Sequence, residues 1–320
     1  MPKRPQTLGD RPSQSLRPGQ KVRYPRLGAT LHEWLQWAER AYVRRRAALG
    51  QVAATAHDEA LYLLLRTLEL PLDSRPAVLN RKLTSAQAER VEEVFRRRLE
   101  ERVPAAYLTR EAFLGEHRFY VDERVIIPRS YFLELLPGQI PQWLPAGKPM
   151  KRAADICTGS GCLAILLAHQ FPAARIDAIE LSPHALAVAK FNIAAHRLAP
   201  RIKLHHSDVF EALKPVRYDL ILSNPPYVPT RELGSLPEEF TKEPAMALDG
   251  GRDGLAIIRK ILQQSRERLQ PHGIVVLEVG GLRAAMDRTL PELDLHWLHT
   301  EDGEDCVCVV QAARLAHWRG

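Results

Sequence analysis

The residues best suited to chemistry are Asn224-Pro225-Pro226-Tyr227, which directly follow the apolar run Leu220-Ile-Leu-Ser223. Such a short run predicts a buried strand that ends in a turn. Two successive prolines fix φ and carry no N–H, so the turn is stiff and offers carbonyl oxygens outward as acceptors. The side-chain oxygen of Asn224 and the carbonyl of Pro225 together suit the two hydrogens of one planar NH2 group. An amide or aryl amino nitrogen is a poor nucleophile because its lone pair is delocalised. Accepting both of its protons returns electron density to nitrogen and orients it. A well-held near-attack geometry offsets about 7 to 11 kcal/mol in the best intramolecular models. Tyr227 is expected to pack on the flat face of the target group.

A second constellation lies upstream. Asp155-Ile-Cys157-Thr158-Gly159-Ser160-Gly161-Cys162 reads as a strand, a glycine turn and a helix start in quick succession. Glycine lets the backbone turn tightly and approach a ligand, and a helix N-terminus offers free N–H groups. Ala164 stands where a dinucleotide fingerprint has its third glycine, so this motif alone leaves a nicotinamide cofactor open. The next strand, 175–180, ends in Glu180, placed to accept hydrogen bonds from both hydroxyls of a ribose, with Leu181 beside it. After a third strand, 202–206, comes Asp208, expected at an adenine edge with Val209 or Phe210 against the ring. Ligands of α/β sheets bind at the carboxyl ends of parallel strands, where all these residues fall. The expected cofactor is S-adenosylmethionine, held by Asp155, Thr158, Gly159, Ser160, Gly161, Glu180, Leu181, Asp208, Val209 and Asn224. The expected reaction moves its sulfonium methyl to nitrogen, with Asn224, Pro225, Pro226 and Tyr227 as the catalytic group.

The elements that must position these residues follow from the hydrophobic pattern. Strands are predicted over 153–157, 175–180, 202–206, 220–223, 274–279 and 306–310, with helices starting at Gly161, Ser182, Gly254 and Gly281. Alternation of short apolar strands with helices implies a mainly parallel sheet covered on both faces. Ser182-Pro183 is a clear helix start, Ser as N-cap and Pro at the first helical position. Before this domain the chain reads as helical. Leu31, Trp34, Leu35 and Ala38 share one helix face, 57–68 forms a second helix, and Thr84 with Gln87 makes a capping box that opens a third. Val91, Val94, Phe95 and Leu99 are its buried stripe, and Pro104 is expected to end it. Aromatic and β-branched residues around Gly115 suggest a hairpin over 112–127. The prolines of 136–149 argue against a regular element there. The resulting domains are a disordered basic tail (1–26), a helical domain (27–110), a hairpin and linker (111–149) and an α/β domain (150–320).

Composition narrows the function classes. The chain has 320 residues, is 45% hydrophobic and carries a formal charge of +7, but residues 1–26 hold seven Lys/Arg against Asp10 alone. The folded body is therefore nearly neutral, and only the tail is suited to a weak RNA contact. No run approaches 18 apolar residues and no apolar segment follows the basic N-terminus, which disfavours membrane spanning and Sec-type export. Cys157, Cys162, Cys306 and Cys308 show neither zinc nor disulfide spacing, which suits small core residues in a reducing cytoplasm. No metal is expected. A methylase of nucleic-acid amino groups would use the same Asn-Pro-Pro-Tyr logic, but it must first extract the base, and neither a target-recognition domain nor a basic body is present. A catalytically dead binding module predicts decay of the glycine turn or of Asn224, and both are intact.

Several motifs resemble one family: Phe113-Leu-Gly115-x-x-x-Phe119-Tyr120-Val-Asp-Glu-Arg124-Val, Pro128-Arg129-Ser130, Asp155-x-Cys-Thr-Gly-Ser-Gly-Cys162 and Asn224-Pro-Pro-Tyr227. They are similar to the HemK-type protein-glutamine methyltransferases over about residues 30–312. Pro128-Arg129-Ser130 and Cys157-Thr-Gly-Ser-Gly-Cys162 resemble the PrmB branch, which modifies a glutamine of the third protein of the large ribosomal subunit. The sister branch, which acts on the Gly-Gly-Gln motif of peptide release factors, typically has Pro-Arg-Pro. The resemblance implies a helical N-terminal domain for substrate recognition, a connecting hairpin and a seven-stranded, Rossmann-like methyltransferase sheet. Its implied substrate is a ribosomal protein, free or within an assembly intermediate. It also implies that Arg129, Glu243-Pro244 and the Asp249-Gly-Gly-Arg-Asp253-Gly254 loop flank the substrate cleft. Tyr131-Phe132 departs from the branch, which usually has proline followed by an aliphatic residue there.

Overall fold

The computed structural model of the chain describes residues 23–303 and 305–318. Most of the expected basic tail lies outside them. The chain forms two compact units, one comprising residues up to Ala112 together with Pro237–Lys242, the other Phe113–Leu236 and Glu243 onward.

The first unit is helical: α1 (Leu31–Arg45), α2 (Ala56–Thr67), α3 (Ser85–Leu99) and α4 (Ala105–Thr109). Both α1 and α3 begin with a capping box. Thr84 Oγ1 accepts from Gln87 N at 3.3 Å while Thr84 N donates to Gln87 Oε1 at 3.1 Å, as the sequence predicted. Thr30 and Glu33 do the same for α1. The predicted stripe of α1 is buried, joined by Trp37, Ala41 and Tyr42. Pro104 plays a different part from the one expected. Helix α3 already stops at Leu99, Arg102 turns the chain through a left-handed conformation (φ 58°), and Pro104 starts α4. A proline costs nothing there, since the first helical N–H groups have no partner anyway.

The core of this unit holds a buried charge cluster. Arg98 donates to Glu59 Oε1 at 2.6 Å, to Glu239 Oε1 at 3.1 Å and to the Ala48 carbonyl at 2.6 Å. Tyr42 donates its hydroxyl to the same Glu59 oxygen at 2.9 Å, and its ring lies 5.2 Å from the guanidinium carbon. Glu239 belongs to the short segment that returns to this unit from the middle of the other.

The division falls within a hairpin, β1 (Ala112–Leu114) and β2 (His117–Phe119), which turns at Gly115 with φ 61° and belongs, from Phe113 on, to the second unit. The hairpin is shorter than predicted, because Val125 and Ile127 are buried without joining a sheet. Helix α5 (Phe132–Leu135) and a 3-10 turn, Ile140–Trp143, follow. The turn corrects the expectation of an irregular 136–149. Pro141 sits at its start, where no N–H is needed, and Ile140 is fully buried.

Then come β3 (Arg152–Ile156), α6 (Cys162–Gln170), β4 (Arg175–Glu180), α7 (Pro183–Ala195), β5 (Ile202–His206), β6 (Tyr218–Ser223), α8 (Ala256–Ser265), β7 (Leu269–Glu278), α9 (Arg283–Thr289), β8 (His296–Leu298), β9 (Val307–Gln311) and α10 (Ala312–His317). The strands make one seven-stranded sheet in the order β5-β4-β3-β6-β7-β9-β8. The first five are parallel, β9 runs antiparallel to β7, and β8, antiparallel to β9, points the same way as the first five. This is the α/β sheet that the sequence pattern implied. Strand β8 was missed because three residues are too few to show a period. Apolar residues of β3, β6, β7 and β9 form a core with α8, α9 and α10, including Ile156, Ile221, Val275, Ile261, Met286 and Leu315. Among the described residues no helix is long and apolar enough to cross a membrane.

Candidate active site

Register brings the chemistry to one edge. Ile156 pairs with Ile179 on one side and Ser223 on the other, Glu180 pairs with His206, and Ser223 pairs with Leu277. The carboxyl ends of β3, β4, β5, β6 and β7 therefore finish together, and each hands its next residues to that edge.

The glycine turn after β3 is built on left-handed backbone at Cys157 (φ 61°), Gly159 (φ 54°) and Gly161 (φ 82°). A Cβ on Gly161 would stand 3.3 Å from Cα and Cβ of Ala189, so glycine lets α6 start close against α7. Asp155 braces the turn from beneath: its Oδ2 accepts from Thr158 Oγ1 at 2.5 Å and from Ala164 N at 2.9 Å. The carboxyl is fully buried, and burial pushes its pKa up to about 7. A residue that sequence reasoning passed over, Asn192 on α7, ties the turn to the hairpin. It donates to the carbonyls of Ser160 (2.8 Å) and Tyr120 (3.0 Å) and accepts from Tyr120 N (2.8 Å).

Glu180 is held in place by two backbone donors, Gly159 N to one oxygen and Ser182 N to the other, each at 2.9 Å. Its carboxylate faces a cavity of about 380 Å³, the size of a small-molecule site. Gly159, Glu180, Leu181, Asp208, Val209, Asn224 and Pro226 all line it, as do Arg124, Val125 and Ile126 from the segment after the hairpin. Asp155, Thr158, Ser160 and Gly161 are not on its wall but form the framework of the turn. Of Val209 and Phe210, only Val209 lines the cavity. Phe210 is buried and stacks on Tyr218 with centroids 5.5 Å apart, whereas Val209, at φ 53°, faces the cavity. Asp208 also pairs with Lys260 at 2.6 Å.

At the end of β6, Asn224 donates Nδ2 to Glu278 Oε1 at 3.0 Å. With its amino end engaged, the carboxamide keeps Oδ1 as an acceptor for something else. Glu278, the last residue of β7, also accepts from Ser130 Oγ and from Tyr131 N at 3.2 Å, both through Oε2. The strand sequence Ile-Val-Val-Leu-Glu278 carries the same signature as Ile-Asp-Ala-Ile-Glu180, an acid closing a largely apolar run at the ligand edge. That signal could have found Glu278. Burial pushes its carboxyl up to about 7 against the donors' opposing pull.

Pro225 is buried and Tyr227 half-buried, neither on the cavity wall. The Tyr227 ring rests on Gly280, where a Cβ would stand 2.6 Å from Cε2, and burial pushes the phenol up to about 12. The Asp249–Gly254 loop supports the turn from the other side. Val228 N donates to the Leu248 carbonyl (2.9 Å) and Gly250 N to the Val228 carbonyl (2.8 Å). Cβ atoms on Gly250 and Gly254 would collide with the Tyr227 backbone at 2.7 and 2.5 Å. Arg129 and Glu243, both expected at substrate, are paired with each other through two bonds of 2.9 and 3.0 Å, and neither lines the cavity. Pro244, Met246, Ala247 and Asp249 do.

The Glu278 geometry makes a pH prediction. Its folded pKa lies above the ordinary carboxylate value of 4.5, so the folded state binds the proton more tightly than the unfolded one. The stabilisation is fully present below pH 4.5 and is lost as pH rises through about 7. Glu278→Gln, isosteric and uncharged, is expected to flatten that part of the stability curve while keeping an acceptor for Asn224. Glu278→Ala leaves the carboxamide unanchored. Urea melts at several pH values check this, and a wild-type slope unchanged in the Gln variant would remove Glu278 as its source.

The sheet order and ligand edge are those of a methyltransferase, and residues 140–253 match the family model described as the methyltransferase small domain. The chain is 44% identical over 286 residues to the ribosomal protein uL3 glutamine methyltransferase of Neisseria gonorrhoeae, covering 89% of this chain and 95% of that one. It is 43% identical to the enzyme of the same name from Burkholderia pseudomallei (89% and 95% covered) and 39% identical to that from Bradyrhizobium diazoefficiens (89% and 92% covered). This chain belongs to the family of ribosomal protein uL3 glutamine methyltransferases. Among solved structures, the catalytic domain of hMettl16 in complex with MAT2A 3'UTR hairpin 6 superposes with a TM-score of 0.50 at 16% identity, over 73% of this chain and 85% of that one. That likeness concerns the fold.

Proposed function

We propose that the chain transfers a methyl group from S-adenosylmethionine to the side-chain amide nitrogen of a glutamine in uL3, the third protein of the large ribosomal subunit. The relatives' names supply the substrate. The observation that carries the chemistry is the Asn224 carboxamide, oriented by Glu278 beside a cavity that carries two acids at its strand ends.

The residues present fit the cofactor. Glu180, already fixed by two N–H groups, keeps lone pairs on both oxygens for a pair of ribose hydroxyls. Asp208 with Val209 suits an adenine edge and face, and Asp155, Thr158, Ser160 and Gly161 hold the turn in the shape this requires. When bound, S-adenosylmethionine supplies an electrophilic methyl group on a sulfonium. Asn224 Oδ1 and the Pro225 carbonyl accept the two hydrogens of the glutamine NH2, orienting the nitrogen and raising its electron density. The stiff Pro225-Pro226 turn keeps both acceptors in register, and Tyr227, braced by Gly280, sets the position of the turn. Arg129 and Glu243, paired with each other, act by shaping the cleft. Catalysis on this reading is mostly positioning. The setting is cytoplasmic, with uL3 met free or in an assembly intermediate, and the basic arm adds a weak contact to RNA.

The test is mass spectrometry of uL3 and of large-subunit precursors incubated with the chain and S-adenosylmethionine. One added methyl on one glutamine is expected. Unmodified uL3 in both forms, with methyl found instead on a release factor or a nucleic-acid base, would sink the reading. Independently, Glu180→Ala is expected to weaken S-adenosylmethionine binding by roughly 10- to 100-fold, in line with the loss of one to two charge-assisted hydrogen bonds. Calorimetry measures it, and an unchanged dissociation constant would take Glu180 out of the site.

A further inference from the structure

Three histidines far apart in sequence come together away from the cavity. His117 lies on β2, His169 in the last turn of α6 and His196 at the C-cap of α7. One imidazole nitrogen from each lies within 4.8 Å of the others. The His117 and His169 rings are stacked with centroids 4.7 Å apart, and His196 stands edge-on to both at 5.9 and 6.0 Å. We propose that His117, His169 and His196 form a binding site for one borderline divalent transition-metal ion, Zn(II) foremost, that fastens the hairpin to the ends of two helices.

The chemistry of the donors points to that class of ion. Three neutral imidazoles with no carboxylate or thiolate in the set suit Zn(II), and the harder Mg(II) and Ca(II) prefer oxygen. Zinc–nitrogen bonds of about 2.0 to 2.1 Å in a tetrahedron place ligand nitrogens roughly 3.4 Å apart. Binding requires side-chain rotation to close the present spacing, above all at His169, which is exposed, whereas His117 and His196 are half-buried and the His196 ring stacks on Phe119 at 5.2 Å. His196 is also prepared as a ligand. Its Nε2 stands 2.9 Å from the Arg118 carbonyl, which can only accept, so Nε2 carries the proton and a neutral ring leaves its lone pair on Nδ1. A backbone carbonyl behind the ring in this way commonly orients a metal-bound histidine. The site also sits at the C-terminal ends of α6 and α7, where the helix dipoles favour positive charge.

Two charged neighbours bear on His169. Glu116, in the hairpin turn, favours a cation there, and Arg201 opposes it. The Arg201 guanidinium, however, is spent on the carbonyls of Ala168 (2.8 Å), Phe171 (2.7 Å) and Ala174 (3.1 Å). The site is separate from methyl transfer. Helix α6 begins at the glycine turn and places His169 on the order of 10 Å away along its axis. The ion would act on the hairpin, which leads directly into Arg124, Val125 and Ile126 of the cavity wall.

The test uses the full chain without an affinity tag. Equilibrium dialysis against Zn(II) with elemental analysis is expected to find one ion per chain, and Zn(II) is expected to raise the melting temperature. His169→Ala, at an exposed position, should melt like the wild type without metal yet bind Zn(II) at least ~10-fold more weakly. Co(II) substitution should give the visible bands of a nitrogen and oxygen ligand set. Zn(II) binding that is absent, or unchanged in both His169→Ala and His117→Ala, would overturn the proposal. So would a thiolate-to-cobalt charge-transfer band, which would assign the metal to cysteines.

Discussion

Asn224→Ala is expected to lower methyl transfer by about 10²- to 10³-fold, the range found when one preorganised hydrogen-bonding group is removed from a reacting centre. Cofactor binding should change little, because Glu180, Asp208 and the glycine turn are untouched. The Asn224 carboxamide is committed at one end and open at the other, since Nδ2 donates to Glu278 at 3.0 Å and Oδ1 is left to accept. Asn224→Asp is the sharper companion. It keeps an acceptor but sets a second carboxylate against buried Glu278, so one of the two must take up a proton. Single-turnover rates with saturating S-adenosylmethionine separate chemistry from binding. A rate within a few-fold of wild type for Asn224→Ala would end the double-acceptor mechanism.

The second large effect concerns stability. Arg98→Ala removes the cation between Glu59 and Glu239, leaving two buried carboxylates that share no countercharge from it. Breaking a buried pair by deleting one partner typically costs about 3 to 5 kcal/mol, because the remaining charge is neither solvated nor paired. Arg102, 3.3 Å from Glu239, offsets part of the loss on that side, while Glu59 keeps, among the described residues, the Tyr42 hydroxyl. Denaturant unfolding followed by tryptophan fluorescence reads the right place, since Trp34 and Trp37 lie in the same helical core. A midpoint shift equivalent to less than about 1 kcal/mol would show that the cluster is not the buried keystone that its exposure of 0% at Arg98 implies.

The site was legible in the sequence where its logic is local. Strand, glycine turn and helix start occupy consecutive residues around Gly159, and Asn224-Pro-Pro-Tyr227 follows its strand without a gap, so periodicity and turn chemistry sufficed. Glu180 and Asp208 could be expected on one cavity wall because a parallel sheet delivers every strand end to one edge. What stayed hidden depends on partners distant in the chain. Ser130 and Glu278 are 148 residues apart, Glu278 and Asn224 are 54 apart, and Arg129 and Glu243 are 114 apart. No local pattern announces such pairs. Arg129 and Glu243 are an instance: the resemblance brings them in as separate contacts, and the fold also pairs them with each other. The same holds for the three histidines, which no short spacing in the sequence connects.

The return of Pro237–Lys242 to the helical unit bears on how such a protein can be taken apart or inherited. A gene fragment ending near Ala112 encodes α1 to α4 but not Glu239, so it specifies an incomplete body with an arginine short of one counterion. Recombination that swaps the N-terminal third between relatives must carry, or match, six residues embedded in the catalytic half. Sequence order and heritable module thus part company here: the helical body is encoded in two places.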